Sequence, residues 1–204
     1  MGDSKLNYKH HLLFVMTIHV MILADLSPAQ IGIGATGDVH YPGLQKSDPS
    51  KNQFDPGFGY GFHVRHDLFA LNKPWKTHLR YSFRFLSNKL KRPGKINADF
   101  DFIRFSADFL LARELKQWHP YFGLSAILIS ADGKMKYREF SDQKVIPALF
   151  FGTDYIFSAY YRAYIEIAGQ IGELSINPER QPLHGFGLTL GLQMFITDQE
   201  ATSK

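Results

Sequence analysis

At 204 residues the chain is long enough for one domain with a sizeable core, and nothing in it demands two. Eighteen Phe, ten Tyr and seventeen Gly suit a β-rich protein, and a net charge of +4 with both signs spread along the chain does not point to nucleic acid as a partner. The absence of Cys excludes disulfides, thiolate metal sites and a lipid-modified N-terminal Cys.

The chain opens with Lys5 and Lys9, followed by a mainly apolar run from Leu12 to Ala24 and a small-x-small site at Ser27 and Ala29. Charged start, short apolar run and small-residue exit predict a secretory signal peptide over 1–29, cleaved between Ala29 and Gln30. The run falls short of the roughly 20 residues that a spanning helix needs.

From residue 30 to 196 the dominant pattern is period two, the mark of strands with two chemically different faces. Ile31, Ile33, Ala35, Val39 and Tyr41 alternate with Gly32, Gly34, Thr36, Asp38 and His40. Phe58, Tyr60, Phe62 and Val64 alternate with Gly59, Gly61, His63 and Arg65. The third segment, Lys76 to Phe85, sets Leu79, Tyr81, Phe83 and Phe85 against Lys76, His78, Arg80, Ser82 and Arg84. The fourth, about 98–112, sets Ile103, Phe105, Ala107, Phe109 and Leu111 against Arg104, Ser106 and Asp108. Its start is out of phase, because Phe100 and Phe102 share a face with Arg104; a β-bulge near Phe102 restores the phase, as does a strand that leaves the apolar zone there. Further strands are predicted from Trp118 to Ser130, over about 145–157, around Tyr161 to Gln170, and from Phe186 to Ile196. Residues 42–56, 87–97, 131–144 and 173–184 read as long polar connections, with short ones at 113–117 and 158–159 and an intermediate one at 67–74. An even-stranded meander with this spacing gathers the long loops at one end. Residues 197–204 read as a frayed tail.

Alternation alone leaves two closed barrels open. In a secreted lipocalin-like barrel the apolar side chains point inward to a ligand; in an outer-membrane barrel they face lipid and the charges fill the interior. Strands of about ten residues match a tilted bilayer crossing. Trp75, Trp118, Tyr155, Phe157, Tyr160 and Tyr161 fall at the short-turn end, where rings with a polar tip suit a membrane–water boundary. The expected fold is all-β: an eight-stranded antiparallel up-and-down transmembrane β-barrel. Since a lipid-facing Lys or Arg near the midplane costs roughly 2–4 kcal/mol, the charged faces belong inside. Arg65, Lys76, Arg80, Arg84, Arg104 and Arg162 are the expected interior cations, opposed by Asp38, Asp108, Asp154 and Glu166, with His40, His63 and His78 beside them. Inward Gly32, Gly34, Gly59, Gly61, Gly187 and Gly191 are expected to leave room for long Arg side chains. Arg80→Gln, which weakens one pair in a polar filling, is expected to be milder than Leu79→Arg or Phe83→Arg.

The stretch "WHPYFGLSA", Trp118 to Ala126, is similar to the "PYxGxG"-type strand opening of the small outer-membrane β-barrel superfamily, with Ser125 replacing the second Gly. The last strand, with Leu188, Leu190, Leu192, Met194 and Ile196, is similar to the signal such barrels present to their insertion machinery, although Phe195–Ile196 and a tail stand where a terminal Phe is usual. Over roughly residues 31–196 the chain resembles these OmpA/OmpX-like eight-stranded barrels. The resemblance implies the outer membrane of a Gram-negative-type bacterium, with its lipid, lipopolysaccharide, the insertion machinery and other outer-membrane proteins as partners.

The function expected first is a non-enzymatic barrel without an open pore, acting through surface loops or within a larger assembly. The acid-free cluster Lys89, Lys91, Arg92 and Lys95 in the loop after the third strand suits an anionic surface such as lipopolysaccharide phosphate. A lipid A-modifying enzyme is an alternative: deacylases of this shape use an outer-wall His and Ser near an "SN" motif, which Ser87–Asn88 faintly resembles, but Phe85 stands where the His belongs and His78 is on the inward face. A secreted ligand-binding barrel is the other. No catalytic, cofactor-binding or metal-binding residue is assigned.

Overall fold

The computed structural model describes residues 30–42, 53–72, 74–91, 98–135, 138–176 and 179–196; at 42, 53, 54, 69–72, 90, 91, 98, 134, 135, 138–140, 174–176 and 179–182 only the backbone is described. The expected signal peptide, the tail, Arg92 and Lys95 lie outside the described residues. Eight strands form the barrel: β1 (Ile31–Pro42), β2 (Gly57–Asn72), β3 (Trp75–Lys91), β4 (Ala98–Arg113), β5 (Trp118–Met135), β6 (Arg138–Ile156), β7 (Tyr161–Gln170) and β8 (Gly185–Ile196). Each pairs antiparallel with its neighbour in sequence, and β8 closes on β1 in an unbroken register from Ile31↔Ile196 to Pro42↔Gly185. This is the closed up-and-down barrel that the alternation predicts. A closed barrel leaves no strand edge along the paired zone, so the backbone is satisfied within the wall.

The strands are unequal. β3 to β6 span 16 to 19 residues each, whereas β1, β7 and β8 span 10 to 12. β6 meets β7 only from Ala148↔Gln170 downward, while its ladder with β5 continues to Met135↔Arg138. Four strands therefore continue past the level at which β7 ends. Gln53–Phe54 adds to this extension by pairing with Lys91 and Leu90, and Glu173–Ile176 folds against Glu179–Pro182 as a separate hairpin.

One sequence expectation is corrected here and another is decided. Residues 131–144 are not a long loop: the ladder runs from Ala131↔Asp142 to Met135↔Arg138, because a strand that has left the apolar zone can be polar on both faces. Of the two readings of Phe100 and Phe102, the bulge is absent: β4 keeps continuous register with both neighbours from Asp99 to Ala112. Phe100 and Phe102 point inward on the same face as Arg104, so the strand leaves the apolar zone there, as the second reading has it. Register shifts occur between β2 and β3 instead, between Asp67 and Ala70 and between Ala70 and Asn72.

Candidate functional site

The inward positions of neighbouring strands bring charges together from distant parts of the sequence. Arg80 lies at the centre, 3% exposed: its Nε donates to Asp108 Oδ2 at 2.7 Å and its Nη2 reaches Glu166 Oε2 at 2.8 Å. The guanidinium also sits over the Phe150 ring at 5.0 Å. Ser125 Oγ donates to Asp108, and Tyr121 Oη donates to Glu166 Oε2 at 3.2 Å, so both carboxylates have partners beyond arginine. Arg84 reaches Asp38 at 2.9 Å and Glu166 at 3.8 Å; Thr36 and Thr189 donate to Asp38. Toward the short-turn end Arg65 pairs with Asp154 at 2.6 Å, and Gln193 donates to the second oxygen of Asp154 at 3.2 Å. Lys76 meets Glu114 at the rim, both partly exposed, and His78 shares a 2.7 Å hydrogen bond with Asp67.

The remaining two cations are placed differently. Arg162 lies over the Phe195 ring at 3.9 Å, and Arg104 donates to the Gln170 amide oxygen at 2.7 Å; among the described residues neither has a carboxylate within ion-pair distance. His40 and His63 are buried, with His63 between Gln193 and Tyr164. Three of the six inward glycines make room for rings: a Cβ at Gly32 collides with Phe195, one at Gly34 with His63 and one at Gly191 with Tyr164, while Gly61 alone is crowded by an arginine, Arg84.

Above Arg104 the interior changes character. Leu86, Phe100, Phe102, Ile127, Ile129, Ala131, Ile146, Ala148 and Leu183 form a buried apolar cluster within the extended end of the barrel. Sequence reasoning missed this layer, although two signals pointed to it: the slipped phase of Phe100 and Phe102, and the run Ile127–Leu128–Ile129, apolar on both faces. Gln170 ties the layers together, accepting from Arg104 and donating to the Leu183 carbonyl at 2.9 Å.

The outer wall is the inverse. Phe58, Tyr60, Phe62, Phe122, Leu124, Leu149, Phe151, Ile165, Leu190 and Leu192 are all exposed, Phe58 at 73% and Leu192 at 64%. From Trp75 to Phe85, at about 3.3 Å per residue and a tilt of about 40°, β3 climbs about 25 Å, the height of a bilayer-facing apolar band. Above the Trp75–Arg113 pair at its foot, no described Asp, Glu, Lys or Arg takes an outward position along that climb on any strand. Trp118 and Tyr155 pack at 4.8 Å with their rings tilted by 56° on the lower edge, with Phe157, Tyr160 and Tyr161 exposed beside them and Arg113 against Trp75. Above Phe85 and Ile103 the outward residues turn polar: Ser87, Lys89, Asp99, Asp101, Ser130 and Asp132.

No protein-family model and no curated protein matches the sequence. Solved structures of similar shape include the outer membrane protein OprG from Pseudomonas aeruginosa, at 10% identity over 85% of this chain and 98% of that one, with a TM-score of 0.59. Neisserial surface protein A, NspA, gives 12% identity over 82% and 97%, with a TM-score of 0.55. The N-terminal β-barrel domain of Pseudomonas aeruginosa OprF gives 14% over 82% and 97%, with a TM-score of 0.52. The chain has the fold of the small eight-stranded outer-membrane barrels.

Within this outer-membrane barrel fold the other two readings find little support. A lipocalin-like barrel keeps an apolar lumen for its ligand, but here the wall is apolar and the lumen holds arginines and acids at mid-height. For deacylase chemistry, Ser87 faces outward with Phe58 and Asp101 as cross-strand neighbours, while Asn88 is buried and donates to the Asp55 carbonyl at 2.9 Å. His78 is inward and bound to Asp67. Nucleophile and base must lie within hydrogen-bond reach, and these do not. Lys89, part of the basic loop cluster, is exposed on β3 and directly opposite Asp99, which in turn faces Lys134 across β4 and β5. Lys91 ends the same strand, with only its backbone described. Among the described residues no group of three His or acidic side chains is placed to hold a metal.

Proposed function

We propose that this chain is an outer-membrane barrel of a Gram-negative-type bacterium, exported by a cleaved signal peptide, that serves as a membrane anchor without an open pore. The observation that carries the reading is the charge-free apolar wall wrapped around a lumen filled by ion pairs. Exposed apolar area on this scale exceeds what soluble proteins leave open, and lipid is the environment that removes its cost. The filled lumen and the apolar layer above it oppose conduction. What remains for function is the end where β3 to β6 rise beyond the wall: a surface-presented sheet and its loops, suited to binding and to docking within a larger envelope assembly. The insertion machinery is the partner required for assembly.

Heat-modifiability tests the anchor. The unboiled protein is expected to run on SDS gels as a compact band distinct from the boiled one, because a closed barrel keeps its backbone hydrogen bonds in detergent. Recovery from the soluble periplasm with a single boiled-like band overturns the assignment.

Loop binding has its own test. With the N-terminus in the periplasm, β1 and β3 run outward and Lys89, Lys91, Arg92 and Lys95 reach the cell surface. Replacing all four with Gln is expected to leave the compact band intact and to weaken binding to lipopolysaccharide, with a shallower salt dependence, since exposed charges act mainly on encounter and are screened over about 8 Å at physiological ionic strength. Lys89 contributes least, because Asp99 opposes it. Whole-cell protease or antibody labelling that reaches this loop only after the outer membrane is broken removes the surface-binding reading.

A further inference from the structure

A cavity of about 30 Å³ lies in the lumen at the boundary between the ion-pair layer and the apolar layer. Arg80, Arg84, Arg104, Ser106, Asp108, Ser125 and Glu166 supply its polar lining, and Ile127, Ala148, Phe150 and Ala168 the rest. Three arginines and two carboxylates therefore share one small space. Asp38 approaches Arg84 from outside it, which balances the count but not the positions. Each carboxylate is committed: Asp108 to Arg80 and Ser125, Glu166 to Arg80, Arg84 and Tyr121, Asp38 to Arg84 and two threonines. None reaches Arg104.

Among the described residues Arg104 is left with one neutral amide as its hydrogen-bond partner. It stands directly opposite Arg84 in the β3–β4 ladder, a like-charge pair that repels. Arg84 Nε lies buried with no hydrogen-bond acceptor among the described residues. An arginine cannot shed its proton to escape this situation. A buried charge without a counter-charge is costly, and the charge is retained where a partner is supplied. The cavity has room for a small partner: about 10–15 Å³ of such space is enough to hold one water molecule, so a chloride ion fits.

We propose that this cavity binds a monovalent anion of chloride size, held by Arg104 and the free Arg84 Nε with the Ser106 hydroxyl alongside. The anion supplies a counter-charge at Arg104 and belongs to the folded state alone, because the cavity's walls, from β3 to β7, come together only when the barrel closes. It therefore stabilises the fold in proportion to its occupancy. Gluconate is too large for it.

The test uses the chain refolded into neutral phosphatidylcholine vesicles, with urea unfolding followed by the gel band shift at one ionic strength in sodium chloride, sodium bromide or sodium gluconate. The midpoint is expected to be higher in both halides than in gluconate. That difference is expected to vanish in Arg104→Gln and to persist in Arg162→Gln, whose side chain does not line the cavity. Should Arg104→Gln fail to fold, Ser106→Leu fills the space instead and is expected to remove the same halide dependence. Crystals grown in bromide are expected to show an anomalous peak between Arg84 and Arg104. A halide difference that survives in Arg104→Gln or Ser106→Leu, equal midpoints in all three salts, or bromide crystals with no peak in the cavity overturns the proposal and leaves water as the occupant.

Discussion

Arg80→Gln is expected to destabilise the barrel by about 3–5 kcal/mol, the range for removing one partner of a buried ion pair. From the alternation alone this substitution ranks as mild; two features of the structure reverse that ranking. Arg80 makes ion pairs with both Asp108 and Glu166, and it is 3% exposed, so no water replaces what the guanidinium supplied. Glutamine offers one amide to two carboxylates, leaving like charges close together in a low-dielectric lumen. Tyr121 and Ser125 still donate to those acids, which keeps the loss at the scale of a broken pair rather than of two bare charges. The urea midpoint of the heat-modifiable band in vesicles measures it. A shift worth less than about 1 kcal/mol, the scale of exposed pairs, shows that the lumen is solvated and that its ion pairs are replaceable.

Phe83→Arg and Leu190→Arg are expected to cost roughly 2–4 kcal/mol each and to reduce the heat-modifiable fraction sharply. Both side chains stand on the outer wall well inside the apolar band, on strands almost opposite one another around the barrel, so together they sample the wall on two sides. Phe83 also packs against Phe62 at 5.4 Å and Phe85 at 4.9 Å, contacts that add to the loss at that position. Leu190 has no such ring partners and isolates the lipid contribution. Wild-type assembly of both variants in bilayers shows that this wall does not face lipid.

The strand pattern was legible because period two is written directly into residue choice. Lys76 to Phe85 alternates cleanly, and one face of it had to be wet. The layer above Arg104 was harder to read, because Phe100 and Phe102 obey the same period as Arg104 while changing what that face requires. A one-residue slip of phase and a change of environment look alike in sequence, and the former is the commoner reading of an isolated pair. Residues 131–144 were hidden for a related reason. Once a strand leaves lipid both its faces can be polar, and a polar strand has the composition of a loop. The glycines marked crowding correctly but not its source, since nothing in Gly34 or Gly191 says whether the neighbour is His63, Tyr164 or an arginine. Which carboxylate each arginine takes was also out of reach, because partners such as Arg65 and Asp154 sit on strands β2 and β6, brought together only across the lumen.

Those cross-lumen pairs bear on how the barrel is made. Arg65 of β2 waits for Asp154 of β6, and Arg80 and Arg84 of β3 wait for Glu166 of β7. A growing sheet of β1 to β5 already holds Asp38 and Asp108, which pair with Arg84 and Arg80, but it lacks the other two acids, so a half-formed intermediate has only part of its ion pairs. Such long sequence separations slow folding and concentrate the stability gain late, at closure. The pairs to Asp154 and Glu166 thus act as a completion signal: until β6 and β7 swing round, Arg65 lacks its acid and Arg80 and Arg84 lack one of theirs, and closure of β8 on β1 supplies what is missing.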